Sequence, residues 1–260
     1  MGVLNVTPDS FSDGGRYSSF DAAIAHGVEM AAAGADIIDV GGESTRPGAD
    51  PVPAEDELAR VVPVVSALVA QGVAVSIDTT KPVVAAAAIK AGAMVVNDVT
   101  GLRDARMVDL AAEHGSGVVI MHMQGEPRTM QESPEYEDVV GEVRDFLIER
   151  AVRAEEGGVR RDRIAIDPGI GFGKSFQHNL ELLRNLDQLA ATGYPVLLGA
   201  SRKAFLGRIL GGNVPAPERD PATGATVALA IEQGVAIVRV HNVAMGAQTA
   251  RTVEAIMGAG

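Results

Sequence analysis

The chain has 260 residues, 47% hydrophobic and 22% charged, with a net charge of −12 and no cysteine. That size and balance suit one large folded domain with a substantial core, and the lack of cysteine excludes disulfides, thiolate metal sites and cysteine nucleophiles. An acidic surface repels polyanions, so nucleic acid is not an expected partner.

No apolar run approaches the length of a membrane span and no signal peptide precedes the first strand, so a cytoplasmic enzyme is expected. The histidines at 26, 114, 122, 178 and 241 form no close metal-spaced pair, which argues against zinc.

Short β-branched runs alternate with helical stretches along the whole chain. In order, the predicted strands are Val3–Val6, Asp36–Val40, Val73–Asp78, Met94–Val99, Gly117–Met121, Arg163–Asp167, Val196–Ala200 and Ala236–His241. Several are almost continuously apolar, as expected of a parallel sheet covered by helices. One helical stripe runs through Leu58, Val61, Val62, Val65, Leu68 and Val69, where Pro63 should kink or restart the helix. A second runs through Val243, Ala247, Ala250, Val253 and Met257.

Eight such units in one domain predict a (β/α)8 barrel spanning 1–260. A doubly wound open sheet is the runner-up, but its usual GxGxxG turn after the first strand is replaced here by NVTPDSFSDGG. The chain opens almost inside strand 1. Either the true start lies upstream or the segment covering the lower mouth of the barrel is missing.

Polar residues gather at the C-terminal ends of these strands: Asn5, Asp78, Asn97 and Asp98, His122, Asp167, then Ser201-Arg202-Lys203, and Arg239 with His241. A single Asp at a strand end is usually a turn or a helix cap. Polar groups at most strand ends of one barrel converge on one mouth, where barrel chemistry occurs.

Arg239 and His241 alternate on one strand and so face the same way, and closure brings Asn5 beside them. That patch suits phosphate, with the Asn oxygen available to Mg²⁺. Asp78, Asn97, Asp167 and Lys203 instead complement a flat heterocycle with donor and acceptor edges, the alternative being a buried ion pair between strands 6 and 7.

The run DPGIGFGKS is not a Walker loop, because Pro168 stands where that loop needs glycine. Its glycines let the backbone approach a ligand closely. The segments 5–15 and 41–53 are long and rich in Gly, Pro, Ser and Asp, and are expected to act as mobile lids. The stretch from Gln124 to Tyr136 reads as an exposed loop without an assigned role.

NVTPDSFSDGG from Asn5, GGESTRP from Gly41, DPGIGFGK from Asp167 and SRK from Ser201 together resemble the dihydropteroate synthases of folate biosynthesis, over the whole length. The resemblance implies a barrel acting as a homodimer. It would join 6-hydroxymethyl-7,8-dihydropterin pyrophosphate to p-aminobenzoate, with Mg²⁺ present.

It further implies a pterin pocket of Asp78, Asn97, Met121, Asp167, Gly199 and Lys203. Pyrophosphate and the metal would lie at Asn5, Arg239 and His241. The p-aminobenzoate site would form from Phe11, Thr45, Arg46, Pro47, Phe172 and Ser201 as the lids close. Asn5, Asp13, Arg46, Lys203, Arg239 and His241 would be the catalytic set, Asp13 offsetting positive charge.

Two positions depart from the family. Asn242 follows His241 where the family usually has Asp, and Ala204 follows Lys203 where many members have Ser. Losing that carboxylate is expected either to loosen neighbouring donors or to alter the local charge near Mg²⁺, and losing that hydroxyl to weaken p-aminobenzoate binding. A pterin-binding methyltransferase barrel is the rival enzyme, with no need for the lid motifs or the phosphate patch. A non-catalytic pterin-binding paralogue is the rival from another class.

Overall fold

In a computed structural model of the chain, residues 1–6, 16–44, 50–126, 129–212 and 214–258 are described, without the side chains of 16–19. The strands are β1 (Gly2–Asn5), β2 (Ile38–Gly41), β3 (Val75–Asp78), β4 (Val95–Asp98), β5 (Gly117–Met121), β6 (Ile164–Asp167), β7 (Leu197–Leu198) and β8 (Ile237–Val238). β1 to β6 pair in sequence order, all parallel, and β7 pairs with β8. Parallel bridges Ile166↔Val196 and Gly2↔Val240 join the two sheets, and Val3 N–H donates to the Val240 carbonyl across the last seam. The result is a closed eight-stranded barrel.

Every residue of β2, β3, β5 and β6 is buried, which explains why these strands read as apolar runs rather than alternating ones. The helices are α1 (Arg16–Ala32), α2 (Ala54–Ala70), α3 (Pro82–Lys90), α4 (Ala105–His114), α5 (Val139–Glu156), α6 (Phe176–Arg184), α7 (Leu186–Ala190), α8 (Ala204–Ile209), α9 (Asp220–Glu232) and α10 (Val243–Met257).

Pro63 does not restart α2, which runs unbroken to Ala70. The proline leaves the Ala59 carbonyl without its helical donor. Burial of Val61, Val64, Val65 and Leu68 holds the helix across that gap. Only the first part of the α10 stripe packs inward: Val243 is buried while Met257 is 54% exposed.

β7 and β8 are shorter than the predicted Val196–Ala200 and Ala236–His241. Beyond Leu198 and Val238 the ladder thins to single bonds, Arg239 N–H to the Leu198 carbonyl and Val240 N–H to the Met1 carbonyl, and Ser201, Arg239 and His241 line the mouth. There Ser201 bonds His241, while Arg239 bonds Asp39 and Asp78.

Candidate active site

The mouth opens into a cavity of about 1030 Å³. Asn5, Asp78, Gly199, Ser201, Lys203, Arg239 and His241 line it together with Phe172. Asn97, Met121 and Asp167 lie beneath, at the ends of β4, β5 and β6, and each is buried. Asp13, Phe11, Thr45, Arg46 and Pro47 fall outside the described residues.

Arg239 organises the centre. Its Nε donates to Asp39 at 2.6 Å and its Nη2 to Asp78 at 2.8 Å. Asn97 donates to the same Asp39 oxygen at 2.9 Å. Two nitrogens of Arg239 are thus held by carboxylates, and only Nη1 has no protein acceptor among the described residues.

Asp39, fully buried, was missed in the sequence. The signal was there, a charge within the apolar run IIDVGG, but register alone does not say that its partner lies two hundred residues away. Burial pushes the Asp78 carboxyl up to about 7, with Arg239 opposing.

Asp167 commits one oxygen to the Gly169 N–H at 2.7 Å. Burial raises its pKa, while that N–H and Lys203 act against the rise. Gly169 has φ +66°, and a Cβ there would collide with the His122 carbonyl oxygen, so glycine is required at this turn. The loop that follows carries Phe172, and the Lys203 ammonium lies 3.9 Å from the centroid of its ring.

Lys203 is aimed by an unusual neighbour. Arg202 adopts φ +58°, a strained conformation for a non-glycine residue. Its carbonyl accepts from Arg219 at 2.9 Å, its N–H donates to Thr223 at 3.1 Å, and its guanidinium pairs with Asp220 at 2.7 and 2.8 Å.

Ser201 lies against His241. Its hydroxyl accepts from the His241 N–H at 3.2 Å and stands 3.0 Å from Nδ1. The hydroxyl keeps a hydrogen to give and a second lone pair to accept with, so it can hold the ring in either tautomer.

Asn242 does not loosen its surroundings. Its side-chain oxygen caps α10 by accepting from Met245 N–H at 3.1 Å, and its amide donates to Asp220 at 2.9 Å. An aspartate here would cap equally well but would face Asp220 with like charge. The asparagine thus knits Asp220, Arg202 and the strand 8 turn together.

Below the site, Lys174 is 2% exposed. Its ammonium reaches His122 Nδ1 at 3.0 Å, the His122 carbonyl at 3.3 Å and the Phe172 carbonyl at 2.9 Å. Burial, then Lys174, pulls His122 down to about 3, so its imidazole is neutral and can accept. His122 is legible in the sequence at a strand end but Lys174 is not, because besides the His122 ring its partners are main-chain oxygens without any sequence signature.

The loop from Gln124 to Tyr136 gains a role: Gln131 donates to the Gly171 carbonyl at 2.6 Å and Tyr136 to that of Gly173 at 2.7 Å, bracing the glycine-rich loop. Asp98 takes the bland role, accepting from Thr100 and Leu102 in a turn.

The segment 41–53, expected to act as a lid, is anchored on either side of residues 45–49. Glu43 accepts from Val52 N–H at 3.3 Å and pairs with Lys81, which also binds the buried Glu57 at 2.6 Å. Arg60 holds the Gly42 carbonyl at 2.9 Å.

A family model described as pterin binding enzyme matches residues 1–241, and the chain belongs to that family. It is 46% identical over 260 residues to the dihydropteroate synthase of Escherichia coli (strain K12), covering all of this chain and 92% of that one. Among solved structures, a Xanthomonas albilineans dihydropteroate synthase with 4-aminobenzoic acid superposes with a TM-score of 0.94 at 46% identity, over 100% and 93% of the two chains. One from the same organism in complex with 7,8-dihydropteroate gives 0.90 at 42%, over 100% and 94%.

Proposed function

We infer that the chain catalyses the dihydropteroate synthase reaction: 6-hydroxymethyl-7,8-dihydropterin pyrophosphate and p-aminobenzoate condense to 7,8-dihydropteroate, releasing pyrophosphate. It is a transferase of folate biosynthesis. The observation that carries the reading is the joining of two unlike sets of groups in one mouth. Carboxylates, an amide and an ammonium lie at Asp78, Asp167, Asn97 and Lys203, beside cationic and amide donors at Arg239, His241 and Asn5.

The pterin is proposed to stack above Met121 and against Gly199, with the free oxygen of Asp167 accepting its ring N–H and amino hydrogens. Lys203 donates to its carbonyl edge. Gly199 fits because a Cβ there would point at Asp167, 3.8 Å from its second oxygen. Asn97 acts through Asp39, which it shares with Arg239.

The leaving pyrophosphate is received by Nη1 of Arg239 and Nε2 of His241, donors already oriented before the C–O bond breaks. Asn5 is the oxygen ligand proposed for Mg²⁺ in this lining, since its described carboxylate, Asp78, is held by Arg239, and no cluster of three His, Cys, Asp or Glu able to hold a metal occurs among the described residues. That sparse set fits Mg²⁺, which keeps several waters and binds through one or two protein groups plus substrate phosphates. When bound it would neutralise charge on the pyrophosphate.

Phe172 and Ser201 were both expected to contact p-aminobenzoate. Phe172 is proposed to pack on its ring beneath Lys203, and Ser201, in the same lining and bonded to His241, to contact it from the other side. The arylamine nitrogen attacks the pterin methylene as pyrophosphate departs, and exclusion of water keeps the carbon for the amine. Residues 45–47, Phe11 and Asp13 would complete that enclosure.

A cytoplasmic, homodimeric enzyme is the accompanying proposal. An assay of pteroate formation from the two substrates with Mg²⁺ tests the reading, and an inactive protein that still binds pterin would favour the non-catalytic paralogue.

A further inference from the structure

The cavity does not end at the barrel axis. It extends outward past Phe176, Ala204, Phe205, Ala216 and Arg219 to Arg208. In a chain of net charge −12, the described residues of its lining include six basic side chains (Lys174, Arg202, Lys203, Arg208, Arg219, Arg239) and one carboxylate, Asp78. Such a concentration of one sign marks a path for anions.

Most of these cations are committed. Arg239 holds Asp39 and Asp78. Arg202 holds Asp220. Lys174 is enclosed by His122 and Phe172. Arg219 serves the Val214 and Arg202 carbonyls, and Lys203 sits on Phe172.

Arg208 differs. Its guanidinium lies 4.3 Å from the centroid of the Phe176 ring, and no carboxylate or carbonyl partner reaches it among the described residues. The ring fixes the position of the cation without neutralising it.

Its place on α8 gives the fixed charge a direction. Arg208 follows Ala204 by four residues, so both lie on one face, and side chains on a helix lean toward its N-terminus. Arg208, Ala204 and the Phe176 ring that seats the guanidinium all line the same arm of the cavity, and the small methyl group of Ala204 takes up little of it. In the proposed reaction the amine of p-aminobenzoate faces inward to the pterin methylene. Its carboxylate, at the opposite end of the ring, then faces this outer arm.

We propose that Arg208 receives the carboxylate of the acceptor arylamine, in the space that Ala204 leaves open, and so makes this enzyme select anionic over uncharged arylamines. The inference rests on the proposed reaction. It assigns to a side chain one helical turn further along the contact that a hydroxyl at position 204 would make.

The test is the Arg208→Gln variant, studied with p-aminobenzoate and with p-aminobenzamide as substrate or competitive inhibitor. The expected result is a KM for p-aminobenzoate raised about fivefold, the effect of losing one partly exposed ion pair. kcat, inhibition by pyrophosphate and affinity for p-aminobenzamide should be unchanged. The Arg208→Lys variant should recover part of the loss, and the wild-type KM alone should climb with salt.

An unchanged KM for p-aminobenzoate overturns the assignment. So does an equal loss for the amide, which would make the residue structural, or a weakened pyrophosphate inhibition, which would give the arm to the leaving group. A wild-type protein that forms no pteroate sinks the reaction itself, and Arg208's role with it; an active one with an unaltered Arg208→Gln KM sinks only the role of Arg208.

Discussion

Arg239, just beyond the last strand, lies 2.8 Å from Asp78 at the end of the third, so the site is tied across the barrel axis by an ion pair rather than built strand by strand. Asp39 completes the tie at 2.6 Å and is wholly buried. Arg239→Ala would strand two buried carboxylates, a change that typically costs about 3–5 kcal/mol. The variant should lose stability in urea denaturation as well as its handling of pyrophosphate. A variant as stable as wild type would show that the pair is not structural.

Asp167→Asn should weaken pterin binding by about 2–3 kcal/mol, since an amide cannot accept two ligand hydrogens as a carboxylate does. The oxygen held by Gly169 should keep the loop in place, so the melting temperature should change little. Calorimetry with a pterin ligand checks this, and unchanged affinity would remove Asp167 from the pocket.

Lys174 gives the protein a pH-dependent stability. Burial pulls its ammonium down from the ordinary 10.5 to about 7. Between those values the unfolded chain binds the proton more fully than the folded one, so this group makes stability rise with pH, by at most about 1.4 kcal/mol per unit. Below pH 7 the cost of burying the charge is present in full. Lys174→Met should flatten the rise seen in urea melts between about pH 7 and 10; a variant with the wild-type slope would mean that Lys174 does not titrate there.

Lys81→Met should leave Glu57 buried without its partner and release Glu43 from the foot of the second lid. The expected outcome is a stability loss of about 3 kcal/mol or more. The KM for p-aminobenzoate should rise while binding of the pterin without phosphates holds. Equal losses for both ligands would place the damage in the barrel and not in the lid.

The two substrates should bind in order, with p-aminobenzoate gaining about 1–3 kcal/mol once pterin and pyrophosphate are seated. Titration of p-aminobenzoate into free enzyme and into enzyme loaded with pterin and pyrophosphate measures the coupling. Equal affinities would refute it.

The sequence by itself determined the barrel, because eight apolar runs at near-regular spacing leave few ways to bury a parallel sheet. It also determined which mouth carries the chemistry, since Asn5, Asp78, Asn97, Asp167, Lys203, Arg239 and His241 all sit at strand ends on one side. Only the tertiary structure decided who pairs with whom. The Arg239–Asp39 contact depends on closure of the barrel, and the Lys174–His122 and Ser201–His241 contacts on how the loops beyond neighbouring strands fold back, none of which carries a sequence signal. Asn242 shows the same limit: read alone it is a missing carboxylate, and folded it is a cap whose amide binds Asp220. Strand order fixes where a side chain starts, but its charge partner is set by three-dimensional distances that local periodicity does not contain.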